Sequence, residues 1–408
     1  MENKNPAKPS RGARGRRDHW LLPVGVEEIL PPAARHAEQV RRRLLDLLDS
    51  WGYDLVMPPL VEYLESLLTG VGHELDLKTF KLTDQLTGRL MGLRADMTPQ
   101  AARIDAHYLR RDTPVRLCYL GPVVRTRPDE FGGAREPWQI GAELFGQSGP
   151  RADAEVLRLM LALLECAGFT GLHVDIGHVG VYRALAREAG LEGAAEEELH
   201  EALRRRSRAE VEAILADLAL PRGADRHLKV LIDLHGAEAE FAAAEDALAG
   251  AGPDVRGALA DLKAAWRAVD KAHSGIRWHF DLAELSGYGY HTGVVFSAFV
   301  DGYGQAIAQG GRYDEIGRAF GRSRPAVGFS ADLRLLLKLR DEPAPAPSAI
   351  LAPCRDDQGL RDAVRALRSR GERVVEALRE GAQQDQDTGC DRELVQQGYG
   401  RWTVVARH

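Results

Sequence analysis

Residues 119–146, YLGPVVRTRPDEFGGAREPWQIGAELFG, constrain the fold more than any other stretch of the chain. Two apolar runs flank a charged loop that ends in Gly132 and Gly133, and paired glycines supply the positive φ angles of a tight connection, so the pattern predicts an antiparallel hairpin. Leu117, Val123 and Val124 on one side and Trp138, Ile140 and Leu144 on the other provide its strand residues. Arg125, Arg135, Gln139 and Glu143 interrupt segments apolar enough to be buried, where a polar group without a partner is costly. They must form a structural network among themselves or face a ligand. Gln139 and Glu143 stand four residues apart, hence on one face of a strand, which favours a shared ligand.

The elements around the hairpin follow from periodicity. Pro31 and Pro32 open a helix whose apolar face is Val40, Leu44, Leu47, Leu48 and Trp51, and Gly52 ends it. Next come a short strand broken at Pro58 and Pro59, a helix, and a second hairpin over 80–83 and 89–93. In LRADMTPQAAR, Thr98 before Pro99 fits an N-cap, which sets Asp96 just ahead of a helix start. Residues 153–167 predict a helix and 169–177 a strand. From about 179 to 272 the chain is rich in Ala, Glu, Arg and Leu and carries little β signal, as in a helical insertion whose charged faces are solvated. Strand signals return over 276–310 as a meander rejoining the first sheet, and 326–340 reads as a strand running into a helix. Pro343, Pro345 and Pro347 make a stiff linker. Beyond it SAILAP, a helix near 357–371, RVVEAL and RWTVVAR predict a βαβ unit with a further strand.

The expected organisation is therefore a disordered tail at 1–18, a core split into 19–178 and 276–342 by a helical insertion at 179–275, a linker at 343–347 and a small α/β domain at 348–408. A length of 408 residues suits two or three domains. The formal charge of −6 argues against holding nucleic acid by bulk electrostatics; Arg11, Arg14, Arg16 and Arg17 in the tail read as solvated, with a nucleic-acid-binding arm as the alternative. Cys118, Cys166, Cys354 and Cys390 are widely spaced and suit a reducing cytoplasm. No apolar run is long enough to span a membrane, since even 156–164 is interrupted by Arg158. There is no P-loop and no HExxH, and the thirteen histidines form no metal-ligand pattern, so neither metal nor cofactor is expected.

LRADMTPQAAR at 93–103, the 119–146 hairpin, SGYGYHTGVVF at 286–296, QGGRYDEIG at 309–317 and AVGFSADLRLL at 326–336 resemble, in sequence and order, the catalytic core of histidyl-tRNA synthetase. The resemblance covers roughly residues 19–340. It implies an α+β fold of the class II aminoacyl-tRNA synthetase type, an antiparallel sheet flanked by helices. The closer resemblance is to the catalytically silent branch of that family, the regulatory subunits of ATP phosphoribosyltransferase.

Departures from the synthetase pattern separate the branches. A synthetase needs fixed positive charge around ATP phosphates, and Arg125 keeps one such position. Two residues on, Arg127 replaces a glutamate that reads adenine, and the loop proline is shifted to Pro128. Ser286 stands where the synthetase has the arginine that acts on the activation step, and His291 stands at its second tyrosine. Asp332 and Leu335 replace the glycine and the ATP-clamping arginine of the last motif, and Arg334 is one residue off, rotated by about 100° on a helix. The C-terminal region is short, with Asp356, Asp357, Asp385, Asp387 and Asp391 ill suited to RNA phosphates, so no tRNA binding is expected.

The amino-acid side of the family's site is better kept. By resemblance Asp96, Thr98 and Gln139 match positions that hold the α-amino group of histidine, Glu143 one that meets the imidazole, and Tyr290, Arg312 and Tyr313 the pocket lining, with Arg125 completing the histidine-binding set. Blander roles stand beside these: Asp96 assisting a helix N-terminus, Arg312 pairing with Asp314, His291 as a structural residue. The resemblance implies a chain without catalytic residues that forms dimers within a hetero-octamer, assembles with a short-form ATP phosphoribosyltransferase catalytic subunit in the first step of histidine biosynthesis, and senses L-histidine. An active histidyl-tRNA synthetase or related ATP-dependent amino-acid ligase is the alternative; an RNA-binding paralogue would need a basic groove that the composition does not advertise.

Overall fold

The computed structural model describes residues 20–70, 73–128, 133–218, 220–221, 223–273, 275–283, 289–340, 348–378, 389–398 and 401–407. Gly132, Ser286, the tail arginines, the three linker prolines, Asp385 and Asp387 lie outside the described residues. The chain forms two compact units, Met1–Glu28 with Val40–Asp341, and Ile29–Gln39 with Glu342–His408.

In the first unit, Val40, Leu44 and Leu48 of helix Ala33–Ser50 are buried, and the helix gives way at Gly52 with φ +80°. The short β1 (Asp54–Leu55) follows, and Pro58 and Pro59 separate it from β2 (Val61–Tyr63). With β3 (Phe80–Thr83) and β4 (Leu90–Leu93), which pair as the expected hairpin, β2 makes a three-stranded antiparallel sheet.

The large sheet is built on β5 (Val115–Pro122) and β6 (Trp138–Phe145), antiparallel in register from Val115 opposite Phe145 to Pro122 opposite Trp138. After helix Pro150–Cys166 come β7 (His173–His178), a run of helices carrying only the two-residue β8 (His235–Gly236), then β9 (Arg277–Asp281), β10 (Val294–Phe299), β11 (Ala308–Arg312) and β12 (Ala326–Asp332), which leads directly into helix Leu333–Arg340. The spatial order is β1-β5-β6-β12-β11-β10-β7-β9-β8, antiparallel except for β1 with β5 and β7 with β9.

The placement of β9 corrects the expected meander over 276–310, because β7 lies between β9 and β10. Its cause is the helical stretch itself, which carries the chain from the end of β7 back to run parallel beside it. A parallel neighbour needs such a long crossover, whereas a hairpin does not. Helices Pro150–Cys166 and Pro253–Asp270 pack on one face of the sheet, burying Leu157, Leu163, Leu262 and Trp266 with Ile140, Phe280 and Phe329. The opposite face of β5, β6 and β12 carries a second cluster around Met97, Tyr119, Phe145 and Tyr313.

In the second unit β13 (Ile350–Ala352), helix Gln358–Ser369 and β14 (Val374–Glu376) form the expected parallel βαβ unit. Asp357 caps the helix by accepting from Leu360 N at 2.6 Å. An unanticipated strand, β15 (Arg392–Gln397), lies between β13 and β16 (Arg401–Ala406).

Candidate functional site

Along β6 the side chains alternate: Ile140, Ala142 and Leu144 enter the helix-packed core, while Gln139, Gly141 and Glu143 take the other face. Register then decides which neighbours stand beside them. Gln139 lies between Gly121 and Asp332, Gly141 between Tyr119 and Ser330, and Glu143 between Leu117 and Gly328. Two of these glycines provide the room. A Cβ on Gly141 would lie 2.5 Å from the Tyr119 hydroxyl, and one on Gly328 would lie 1.5 Å from Glu143 Oε2.

Glu143 is 1% exposed, and its carboxyl accepts from Tyr119 Oη at 2.8 Å and from Tyr313 Oη. Tyr119 Oη in turn shares a hydrogen bond with Thr98 Oγ1 at 3.0 Å. At the other end of the face Gln139 Nε2 donates to Asp96 Oδ1 at 2.7 Å, and Gln139 Oε1 accepts from Met97 N at 2.8 Å. Asp96 Oδ1 also accepts from Thr98 N at 2.9 Å. One chain of hydrogen bonds thus joins Asp96, Gln139, Thr98, Tyr119, Glu143 and Tyr313. Tyr290 stacks on Tyr313 with ring centroids 5.1 Å apart, and its buried hydroxyl has no partner among the described residues.

Thr98 is not the helix cap expected of it. Helix Thr98–Arg103 begins with Thr98 itself, no side chain caps it, and Asp96 Oδ1 takes the Thr98 N–H just ahead of the first turn. The hydroxyl is committed to Tyr119 instead, which a buried phenol requires.

Burial pushes Glu143 up to about 8, only partly opposed by the tyrosine and Thr98 hydroxyls. The hydroxyls of Tyr119, Tyr290 and Tyr313 are likewise raised by burial, with the Glu143 charge adding to it. The site therefore offers two carboxyl groups, an amide, four hydroxyls and aromatic faces. Such a set suits a small molecule carrying hydrogen-bond donors and a flat ring.

Arg312 and Arg125 stand apart from this network. Arg312 pairs in register with Val327, a core-facing residue, so its guanidinium crosses to the helix side, where it binds Asp153 at 2.7 Å and Asp314 at 3.0 Å. Tyr313, the next residue, turns to the pocket by the same alternation. Arg125 Nε donates to Ala95 O at 3.2 Å, beside Asp96. His291 lies against Gly311, the register partner of Gly328, with Nδ1 3.3 Å from Arg312 O, and burial lowers it to about 4.

Comparison with known proteins bears on what this geometry serves. The profile of the family described as "Histidyl-tRNA synthetase" matches residues 25–336, and one described as "ATP phosphoribosyltransferase subunit HisZ C-terminal domain" matches residues 347–405. A protein of Thioalkalivibrio sulfidiphilus named ATP phosphoribosyltransferase regulatory subunit is 53% identical over 95% of this chain and 98% of its own length. One of the same name from Alkalilimnicola ehrlichii is 51% identical over 97% and 99%. This chain belongs to the ATP phosphoribosyltransferase regulatory subunit family. Among solved structures, a Bacillus halodurans protein described as an ATP phosphoribosyltransferase regulatory subunit/histidyl-tRNA synthetase superposes with a TM-score of 0.76 at 29% identity, covering 90% of this chain and 93% of that one. The histidyl-tRNA synthetase of Nostoc shares the fold at 18% identity, with a TM-score of 0.75 over 95% of this chain and 97% of its own.

In this member of the regulatory subunit family, Asp332 is built into the framework. Its Oδ1 accepts from Trp138 N and from Arg334 N, both at 2.9 Å, fastening the start of β6 to the start of helix Leu333–Arg340. Arg334 reaches Glu27 O at 2.9 Å, and Arg135 N donates to Gly25 O at 2.7 Å, so the segment before the first helix lies along the end of the hairpin. Tyr119 is the site residue that sequence reasoning missed. The detectable signal was the glycine at position 141, opposite an aromatic on a neighbouring strand. Among the described residues no group of three or more His, Cys, Asp or Glu could hold a metal ion, and no helix is long and apolar enough to cross a membrane.

Proposed function

We propose that the chain is the non-catalytic regulatory subunit of an ATP phosphoribosyltransferase, assembling in the cytoplasm with a short-form catalytic subunit that condenses ATP with phosphoribosyl pyrophosphate, and that L-histidine bound in the Glu143 pocket inhibits the complex. The observation that carries the regulatory role is identity of 53% and 51%, over nearly the whole length of both partners in each comparison, to proteins of that name. Histidine as effector rests on the pocket chemistry. Asp96 and Gln139 supply acceptors for an ammonium group, and Glu143 supplies a carboxyl group for a ring nitrogen beside the stacked tyrosines. Arg125, beside Asp96, is the group we assign to the ligand carboxylate. Inhibition then follows by linkage: histidine shifts the complex toward whichever arrangement binds it more tightly, by no more than its differential affinity for the two. We assign the assembly as a hetero-octamer built on dimers of this subunit.

The test is phosphoribosyl transfer to ATP by the same organism's short catalytic subunit, with and without this protein, across a histidine titration. Activity that requires this chain and falls with histidine is the expected result. Activity indifferent to the chain, together with histidine-dependent ATP–pyrophosphate exchange by the chain alone, would establish an amino-acid-activating enzyme instead.

A further inference from the structure

Glu143 has an unusual set of neighbours. From β5 comes the Tyr119 hydroxyl, from β12 Gly328, from the turns flanking β10 and β11 Tyr313 with Tyr290 stacked on it, and His291 against Gly311, the register partner of Gly328, and from the head of helix Thr98–Arg103 the Thr98 hydroxyl and Asp96. Every direct donor to the carboxyl is a neutral hydroxyl. Among the described residues no ion pair reaches Glu143 or Asp96. Of the arginines around the site, Arg312 pairs with Asp153 and Asp314 across the sheet, Arg125 donates to Ala95 O, and the buried Arg94, beside Gly121, donates to Pro122 O and Pro58 O. No partner charge therefore holds the Glu143 carboxyl in its ionised form.

We propose that Glu143 and the ring of the bound ligand hold a single proton between them, so that the site takes an imidazole ligand with net proton exchange on either side of neutrality and none near it. This rests on the reading of the pocket as a histidine site. The hydroxyl donors favour the ionised carboxylate, but with no counter-charge beside them they only partly offset burial, which pushes Glu143 up to about 8. The empty site at neutral pH is thus mostly the acid, while a free imidazole, with a pKa of about 6.5, is mostly the neutral base. Joining them needs no proton from solvent: the carboxyl hydrogen lies between Glu143 and a ring nitrogen, and the ring N–H remains for a further acceptor.

Away from neutrality the count changes. In acid, the ring arrives protonated to face a protonated carboxyl, both cannot keep their protons at one contact, and one is released to water. In alkali, the carboxyl arrives ionised to face a neutral ring, which would bury net negative charge beside Asp96, so one proton is taken up. Affinity accordingly peaks between the two pKa values and falls by up to about tenfold per pH unit beyond them. The acid limb belongs to the ligand, and the alkaline limb to Glu143.

The experiment is titration calorimetry of the full chain with L-histidine from about pH 5.5 to about pH 8.5, in two buffers of unlike ionisation enthalpy at each pH, which yields the protons exchanged as well as the affinity. The proposal expects release at the acid end, none near neutrality, uptake at the alkaline end, and tightest binding near neutrality. Glu143→Gln, which cannot ionise, is expected to keep the acid limb and to lose the uptake. Histidine binding without proton uptake by the native chain at the alkaline end overturns the proposal alone, and does so even if the variant fails to fold. An uptake that persists unchanged in a folded Gln variant also overturns it, by assigning that proton to another group. Absence of binding at every pH overturns the histidine reading itself.

Discussion

Gly328→Ala is the substitution whose effect the geometry fixes most tightly. The added Cβ would stand 1.5 Å from Glu143 Oε2, 2.5 Å from its Cδ and 2.8 Å from Ala142 O. Ordinary contact begins near about 3.4 Å, so roughly 2 Å must be found, and β12 cannot retreat because it is paired with β6 on one side and β11 on the other. The carboxyl has to rotate away, which breaks its bonds with Tyr119 and Tyr313. Two hydrogen bonds to a buried acid at about 1 kcal/mol or more each, with about 1–3 kcal/mol of overpacking, give a destabilisation of about 3–5 kcal/mol. Once Glu143→Ala has removed the carboxyl, the contact with the backbone oxygen of Ala142 remains, and Gly328→Ala is expected to cost about 1–3 kcal/mol of overpacking without the loss of the two hydrogen bonds. A double-mutant cycle by urea denaturation therefore predicts a coupling of about 2 kcal/mol or more. Equal costs in the two backgrounds would refute the placement of Glu143 over Gly328.

Two further outcomes follow from buried charge. Asp153→Asn leaves Arg312 with Asp314 alone and is expected to destabilise the fold by about 3 kcal/mol in denaturation, while changing histidine affinity less than about threefold, because the pair lies on the helix side of the sheet; a large loss of affinity at unchanged stability would return Arg312 to the ligand. Glu143 is raised above its unfolded value, so the native chain keeps a proton that the unfolded chain loses between about pH 4.5 and about pH 8. Its stabilising contribution is present in acid and is lost as pH rises through that window, at up to about 1.4 kcal/mol per unit. In the ligand-free protein Glu143→Gln lacks this slope, and parallel denaturation curves for the two proteins across the window would contradict the assignment.

The hairpin of β5 and β6 was legible in the sequence because period-two alternation and a glycine-ended loop are local signals. The same alternation put Gln139 and Glu143 on one face, and the structure brings them together with Asp96, Thr98, Tyr290 and Tyr313. What stayed hidden was set by partners distant in sequence. An aromatic in an apolar strand reads as core, and what sets Tyr119 apart is the cross-strand Gly141 that makes room for its hydroxyl. Arg312 and Tyr313 are adjacent and cannot share a face, but which of them turns to the pocket depends on register with β12. The position of β9 likewise depends on where the helical crossover delivers the chain, and strand propensity carries no information about that.

The sheet order also has a consequence for the chain as it is made. β6 gains its second neighbour only with β12, and β7 its antiparallel one only with β10, so both wait for segments that emerge from the ribosome more than a hundred residues later. Until then each carries an open row of backbone donors and acceptors above an apolar face, the form in which strands recruit the wrong partner. Within this sheet the last strands to be synthesised are the ones that close both edges. A truncation after β9 therefore removes more than Gly328 and Tyr313: it leaves a half-built sheet whose two open edges mark it for aggregation or for a chaperone.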